Sequence, residues 1–138
     1  MGKEEVIEFV VGSQPLLGHL FRPVDRRPGV LLAHGWGGNQ DSYFALARLL
    51  SALGCICVTF DFRGHAATEL LKLSITPAEN YADLLAAYDR LAEIPDVDPD
   101  NICVLGSSYG GYLGALLTRE CKVARLGLRA PAMYADAY

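Results

Sequence analysis

Two short glycine-rich turns constrain this chain more than any other feature. "HGWGG" at residues 34–38 follows the apolar run "GVLLA", and "GSSYGG" at residues 106–111 follows "ICVL". An uninterrupted apolar run bounded by turn residues suits a strand covered on both faces. After each turn the spacing becomes helical. Phe44, Leu46, Ala47, Leu49, Leu50 and Leu53 share one helix face after the first turn, with Gly54 closing it. Tyr109 to Glu120 reads as a helix after the second. Parallel strands need helical crossovers to connect and cover them. The chain is therefore expected to form a mostly parallel α/β sheet.

The remaining segments fit that frame. Glu4 to Val11 and Leu16 to Phe21 flank Gly12-Ser13-Gln14-Pro15, the pattern of an antiparallel N-terminal hairpin. Cys55 to Phe62, "CICVTFDF", is a further strand. Thr76-Pro77-Ala78-Glu79 is a capping box with proline at the first helical position. Tyr81, Leu84, Leu85, Tyr88 and Leu91 continue the apolar face of that helix. Pro95 to Asn101 reads as a loop and Val123 to Leu128 as a last strand. The expected order is β-β-β-α-β-α-β-α-β, a three-layer α/β/α arrangement in one domain over residues 1–138.

Composition removes several classes of function. Hydrophobic residues make up 51% and charged ones 20%, a globular balance. The net charge is −4 and the 12 Lys and Arg are scattered, which argues against nucleic acid as a partner. No apolar run approaches the roughly 18 residues of a membrane span. The start, Met1 to Glu5, lacks a signal-peptide pattern, so a cytoplasmic protein is expected. Cys55, Cys57, Cys103 and Cys121 read as small buried core residues within strands or a helix. Cys-x-Cys is too short for a metal knuckle, so no metal is expected. "HGWGGNQ" lacks the third glycine of a dinucleotide fingerprint, and no Gly-Lys-Ser/Thr follows a glycine loop. No cofactor is expected.

The turn at 106–111 carries the chemistry. Gly106-x-Ser108-x-Gly110 fits a nucleophile elbow, a serine on a tight strand-to-helix turn. Only Ser108 has glycines two positions away on each side; Ser107 has Leu105 and Tyr109 there. The helix that follows points its positive end at the site, which favours a developing anion. The plainer alternative is a packing turn whose serine caps the helix.

"LLAHGWGG", "VTFDFRGH" and "VLGSSYGGYLGALL" together resemble the α/β-hydrolase family, over essentially the whole chain. The Ser-Tyr-Gly-Gly form looks most like esterases and acyl-peptidase-type members. The resemblance implies oxyanion donors at the backbone amides of Trp36 and Tyr109, beside the nucleophile Ser108, and a small-molecule acyl substrate. It implies supporting roles for His34 and for His65, the latter in an Asp-x-Arg-Gly-His segment. That segment departs from the family at Ala66-Ala67, where many relatives have glycine and a small polar residue. Asp61 is expected to brace the turn that follows it, and His19 to be an ordinary strand histidine.

The family's chain order is serine, then acid, then histidine. The resemblance therefore implies that the acid and base lie beyond Tyr138, and that the chain is the N-terminal portion of a longer hydrolase, feeble alone. Asp96, Asp98 and Asp100 read as solvated, and Asp136 has no motif around it. A last strand left at a sheet edge is expected to self-associate. The competing reading is a noncatalytic binding or assembly module. Leu70, Leu71, Leu73 and Ile75 fit either a substrate entrance or burial against the sheet.

Overall fold

The computed structural model describes residues 3–22 and 27–134. Asp136 lies outside the described residues. The strands are β1 Lys3–Val11, β2 Gln14–Arg22, β3 Arg27–Ala33, β4 Ile56–Phe60, β5 Val97–Ser107 and β6 Arg125–Arg129. The helices are α1 Phe44–Ala52, α2 Pro77–Ala92 and α3 Tyr109–Leu117, with 3-10 turns at Gln40–Tyr43 and Ala66–Leu71. The six strands are ordered β1-β2-β4-β3-β5-β6. β1 pairs with β2 and β2 with β4 antiparallel, while β3, β4, β5 and β6 run parallel.

Strand alternation divides the core into two layers. Val30, Leu32 and Cys57 face α1 and pack with Phe21 and Ala47. Leu31, Ala33, Ile56, Val58 and Phe60 face the other side, where Leu84 and Ala87 of α2 and Leu113 and Leu117 of α3 cover them. Both central strands are therefore buried on two faces, which is why "GVLLA" and "CVTF" carry no polar alternation. The capping box of α2 forms as expected, Thr76 Oγ1 accepting from the Glu79 amide and the Glu79 carboxylate accepting from the Thr76 amide.

Several local expectations are corrected. The stretch from Pro95 to Asn101 is not wholly loop, because β5 begins at Val97. Arg27 and Pro28 pair with Val97 and Asp98, and the register then jumps so that Gly29 meets Ile102. Asp98 Oδ1 accepts from the Asp100 amide within this bulge, a local bond that lets the strand continue after an irregular turn. Cys121 follows the end of α3 and Cys55 precedes β4. Cys57 is buried, whereas Cys55, Cys103 and Cys121 are only partly covered. Leu70 and Leu73 are fully exposed, so burial against the sheet does not explain them.

β6 forms one edge of the sheet, and its Leu126 and Leu128 are exposed. Among the described residues, no helix is long and apolar enough to cross a membrane.

Candidate active site

The parallel strands β3 and β5 are neighbours, so their carboxyl ends deliver both glycine-rich turns to one place. At the end of β5 the chain reverses into α3 within one residue. Ser108 takes φ 50 and ψ −114, a backbone conformation that strains a residue with a side chain. Its amide donates to the Arg129 carbonyl at 3.0 Å, and its carbonyl accepts from the amides of Tyr112 and Ala132. These bonds hold the strained residue from three sides.

The flanking glycines are required by contact. A Cβ on Gly106 would lie 2.5 Å from the Gly110 carbonyl oxygen. One on Gly110 would lie 2.4 Å from the carbonyl oxygens of both Ala33 and His34. The elbow is thus wedged against the end of β3, and Gly35 lies against Ser107 and Ser108.

The two serines separate clearly. Ser107 Oγ is hydrogen-bonded to the Tyr43 hydroxyl, on the side of the sheet that α1 covers. Ser108 is exposed and makes no side-chain bond to cap α3. A serine that served only as a helix cap would accept from an amide in the first turn. Ser108 does not.

The facing loop is held rigidly. Gly38 donates its amide to the Gly35 carbonyl at 3.0 Å, and Gly37 donates to His65 Nε2 at 2.9 Å. The Trp36 amide makes neither of these bonds. Trp36 and Tyr109 meet edge to face, ring centroids 5.3 Å apart, so the loop and the elbow are in direct contact. Tyr109 opens α3, where a first-turn amide has no partner within the helix.

Residues 30–136 match the Alpha/beta hydrolase family. The chain belongs to the alpha/beta hydrolase family. It is similar to the quorum-quenching protein AidA of Acinetobacter baumannii (strain MDR-ZJ06), with 26% identity over 109 residues, 76% of this chain and 36% of that protein. It is also similar to the alpha/beta hydrolase domain-containing protein WAV2 of Arabidopsis thaliana, with 31% identity over 101 residues, 71% of this chain and 31% of that one. Of the solved structures, esterase Est22 shares the fold with a TM-score of 0.77 at 21% identity, over 99% of this chain and 47% of that chain. The hydrolase-family chain thus spans well under half the length of these curated relatives.

His34 and His65 of this alpha/beta hydrolase chain are occupied. His34 is buried; its Nε2 accepts from the Phe62 amide at 3.0 Å and its Nδ1 lies 2.7 Å from the Gly35 carbonyl. Nδ1 therefore carries the proton and donates. His65 is likewise buried, with Nε2 accepting from Gly37 and Nδ1 facing the Arg63 carbonyl at 3.4 Å. Burial, the largest cause for each ring, lowers both pKa values, and neutral imidazole is what both bonding patterns need. His19 stands on β2 against Phe44, three strand spacings or about 14 Å from β5. None of the three presents a free nitrogen at Ser108 as this arrangement stands.

Asp61 behaves differently from expectation. It does not brace the turn that follows. Its two oxygens accept from the backbone and side-chain amides of Gln40, each at 2.8 Å. Buried Gln40 also accepts from Thr59 Oγ1 at 2.8 Å, so Asp61 ties the end of β4 to the 3-10 turn downstream of "HGWGG". Ala66 sits where the family resemblance expects glycine, and it takes φ 48, a left-handed conformation that costs an alanine about 1 kcal/mol.

A second polar cluster supports the elbow from behind. Tyr109 donates its hydroxyl to Asn80 Oδ1 at 2.9 Å, and Asn80 Nδ2 donates to the Arg63 carbonyl at 2.9 Å and to Asp83 Oδ2 at 3.2 Å. Asp83 also accepts from the amide and the guanidinium of Arg63, each at 2.9 Å. Burial raises the Asp83 pKa, and the Arg63 and Asn80 donors pull it back. Burial also pushes the Tyr109 phenol upward, so it stays a donor. Sequence reading missed Asn80 and Asp83. The available signal was two polar residues spaced by three on the same face of α2 as Leu84, Ala87 and Leu91.

Beside the elbow, on the α2 side, lies a cleft of about 510 Å³. Trp36, Tyr109, Tyr112 and Tyr134 line it, with Ile75 and the exposed residues Thr76 to Ala78 at its lip.

Proposed function

We propose that Ser108 is the nucleophile of an acyl hydrolase acting on an ester, thioester or amide. One observation carries the reading: an exposed serine at φ 50, clasped by two glycines that no larger residue can replace. In the proposed reaction Ser108 Oγ forms a bond to the acyl carbon while its proton passes to a histidine base. The carbonyl oxygen becomes an oxyanion facing the Trp36 and Tyr109 amides. Losing one such donor costs about 3–4 kcal/mol of transition-state stabilisation. Collapse of the intermediate breaks the bond to the leaving group, which takes the proton from the base. Water then attacks the acyl-serine by the same steps, releasing the acid and restoring the serine.

Because His34 and His65 spend their nitrogens on the main chain, we place the base and its acid outside the described residues. A chain lacking them turns over about 10⁴ to 10⁶ times more slowly than a complete triad. The partner is a small acyl substrate, and the cytoplasm is the proposed compartment.

A fluorophosphonate probe tests the assignment. The native polypeptide is expected to gain one adduct mass on Ser108, and Ser108→Ala to gain none. Equal labelling of the variant, or no labelling of either, overturns the reading. The occupied histidines also favour a second reading, a noncatalytic binding module on the same fold. Turnover of a p-nitrophenyl ester no faster than that of Ser108→Ala would support that module and count against the enzyme.

A further inference from the structure

We propose that the cleft beside the elbow receives an uncharged aromatic acyl group, an inference that rests on Ser108 being the nucleophile. Position is the first argument. Trp36 and Tyr109, whose amides are the proposed oxyanion donors, are also walls of the cleft. Ser108 is not itself in the lining, so the cleft adjoins the proposed oxyanion site through these two residues, and a substituent of a carbonyl held between their amides has the cleft beside it.

The lining is the second argument. Among the described residues, no charged side chain lines the cleft. The Thr76 hydroxyl is engaged in its capping box and the Tyr109 hydroxyl in its bond to Asn80. Lys72 holds its Nζ over the Trp36 ring at 5.2 Å and is not part of the lining. A carboxylate or ammonium entering here loses its water with no counter-charge among these lining side chains.

Ring geometry is the third. Trp36 and Tyr109 pack at 81° and Tyr112 and Tyr134 at 73°, centroids 5.3 and 4.7 Å apart. Edge-to-face pairs of this kind offer a further ring both edges and faces to pack on. The volume of about 510 Å³ falls in the range of roughly 300–1,000 Å³ typical of ligand pockets.

The single tryptophan of the chain is Trp36, so its emission reports on the cleft directly. Three neutral or charged probes are titrated into the protein: phenylacetamide, its 4-carboxy derivative, and cyclohexylacetamide as an aliphatic of similar size. Phenylacetamide is expected to change the emission saturably and to bind at least about 10-fold more tightly than the other two. Ser108→Ala is expected to retain saturable binding of phenylacetamide, since Ser108 is not among the residues lining the cleft. Ala78→Asp places a carboxylate on the lip, at a first-turn helix position that favours acids, and is expected to weaken phenylacetamide about 10-fold with unchanged circular dichroism.

Equal binding of the carboxylate or of the cyclohexyl amide overturns the proposed preference, as does the absence of saturable binding in both the wild type and Ser108→Ala. Probe labelling of Ser108 without phenylacetamide binding discards the cleft assignment and leaves the nucleophile standing. Phenylacetamide binding without labelling overturns the acyl role and with it the enzyme.

Discussion

Tyr109, the residue after the elbow serine, donates its hydroxyl to Asn80 near the start of α2 at 2.9 Å. The bond links the proposed oxyanion donor to a buried cluster in which Asn80 and Asp83 have no exposed surface. Tyr109→Phe leaves the Asn80 oxygen buried without its donor, which should cost about 1–3 kcal/mol in urea unfolding. Asn80→Ala removes two donors and an acceptor, and should cost more. A Tyr109→Phe variant as stable as the wild type would show the bond to be dispensable.

The tight contact of Gly110 with β3 makes a sharper test. Gly110→Ala drives a methyl into the carbonyls of Ala33 and His34 and should cost about 3 kcal/mol, or prevent folding. Gly12→Ala is the comparison. That glycine has φ 62 but nothing within 4 Å, so only backbone strain of about 1 kcal/mol is expected. Thermal melts of the two variants should differ clearly, with Gly110→Ala the lower.

Ala66 predicts a gain rather than a loss. Its φ of 48 is a conformation that glycine adopts without steric cost, and the residue is exposed. Ala66→Gly should stabilise the fold by about 1 kcal/mol. A decrease in chemical-denaturation midpoint would show that the alanine side chain contributes a contact that outweighs its strain.

His34 and His65 make stability depend on pH. Both are held below the ordinary value of 6.5 by burial; nearby Asp61 raises each, and Lys72 further lowers His65. The unfolded chain takes up protons near 6.5 while the folded chain resists them. Their contribution is therefore complete above that pH and declines as pH falls through it, by at most about 1.4 kcal/mol per pH unit per ring. Asp83, raised by burial, acts with the opposite sign at lower pH. Melting temperature should fall from about pH 7.5 to 5.5, and His65→Gln, which keeps an acceptor for Gly37, should flatten that fall. An unchanged slope in His65→Gln would remove this ring from the account.

The edge position of β6 bears on association. Leu126 and Leu128 are exposed on a strand that, among the described residues, pairs on one side only. Sedimentation should show concentration-dependent self-association, reduced by Leu128→Lys. A monomer at every concentration would reject pairing through this strand.

Much of this arrangement was legible in local pattern. The run "ICVL" meets glycine at once because its strand enters a turn too crowded for side chains, whereas in the turn after "GVLLA" Gly37 is called for by its φ of 80, and both demands show in composition. The capping box at Thr76 is similarly local, since all its partners lie within four residues. Element order and the elbow followed from such signals.

Contacts that cross the chain were not legible. Asp61 looked like a brace for its own turn because its choice of Gln40, 21 positions away, depends on β4 and the 3-10 turn meeting. Leu70 and Leu73 carry an apolar pattern yet lie in solvent, since nothing in their spacing states where the sheet stops.

By itself, then, the amino-acid order determined the strand–turn–helix units and which serine stands at the bend, because strain and burial there act over a few neighbouring residues. Tertiary structure decided that His34 and His65 are spent on main-chain bonds, that Tyr109 leans on Asn80, and that four aromatic rings meet around one cleft. Those outcomes depend on which distant backbones the sheet order brings within hydrogen-bonding reach, a three-dimensional fact that no single segment carries.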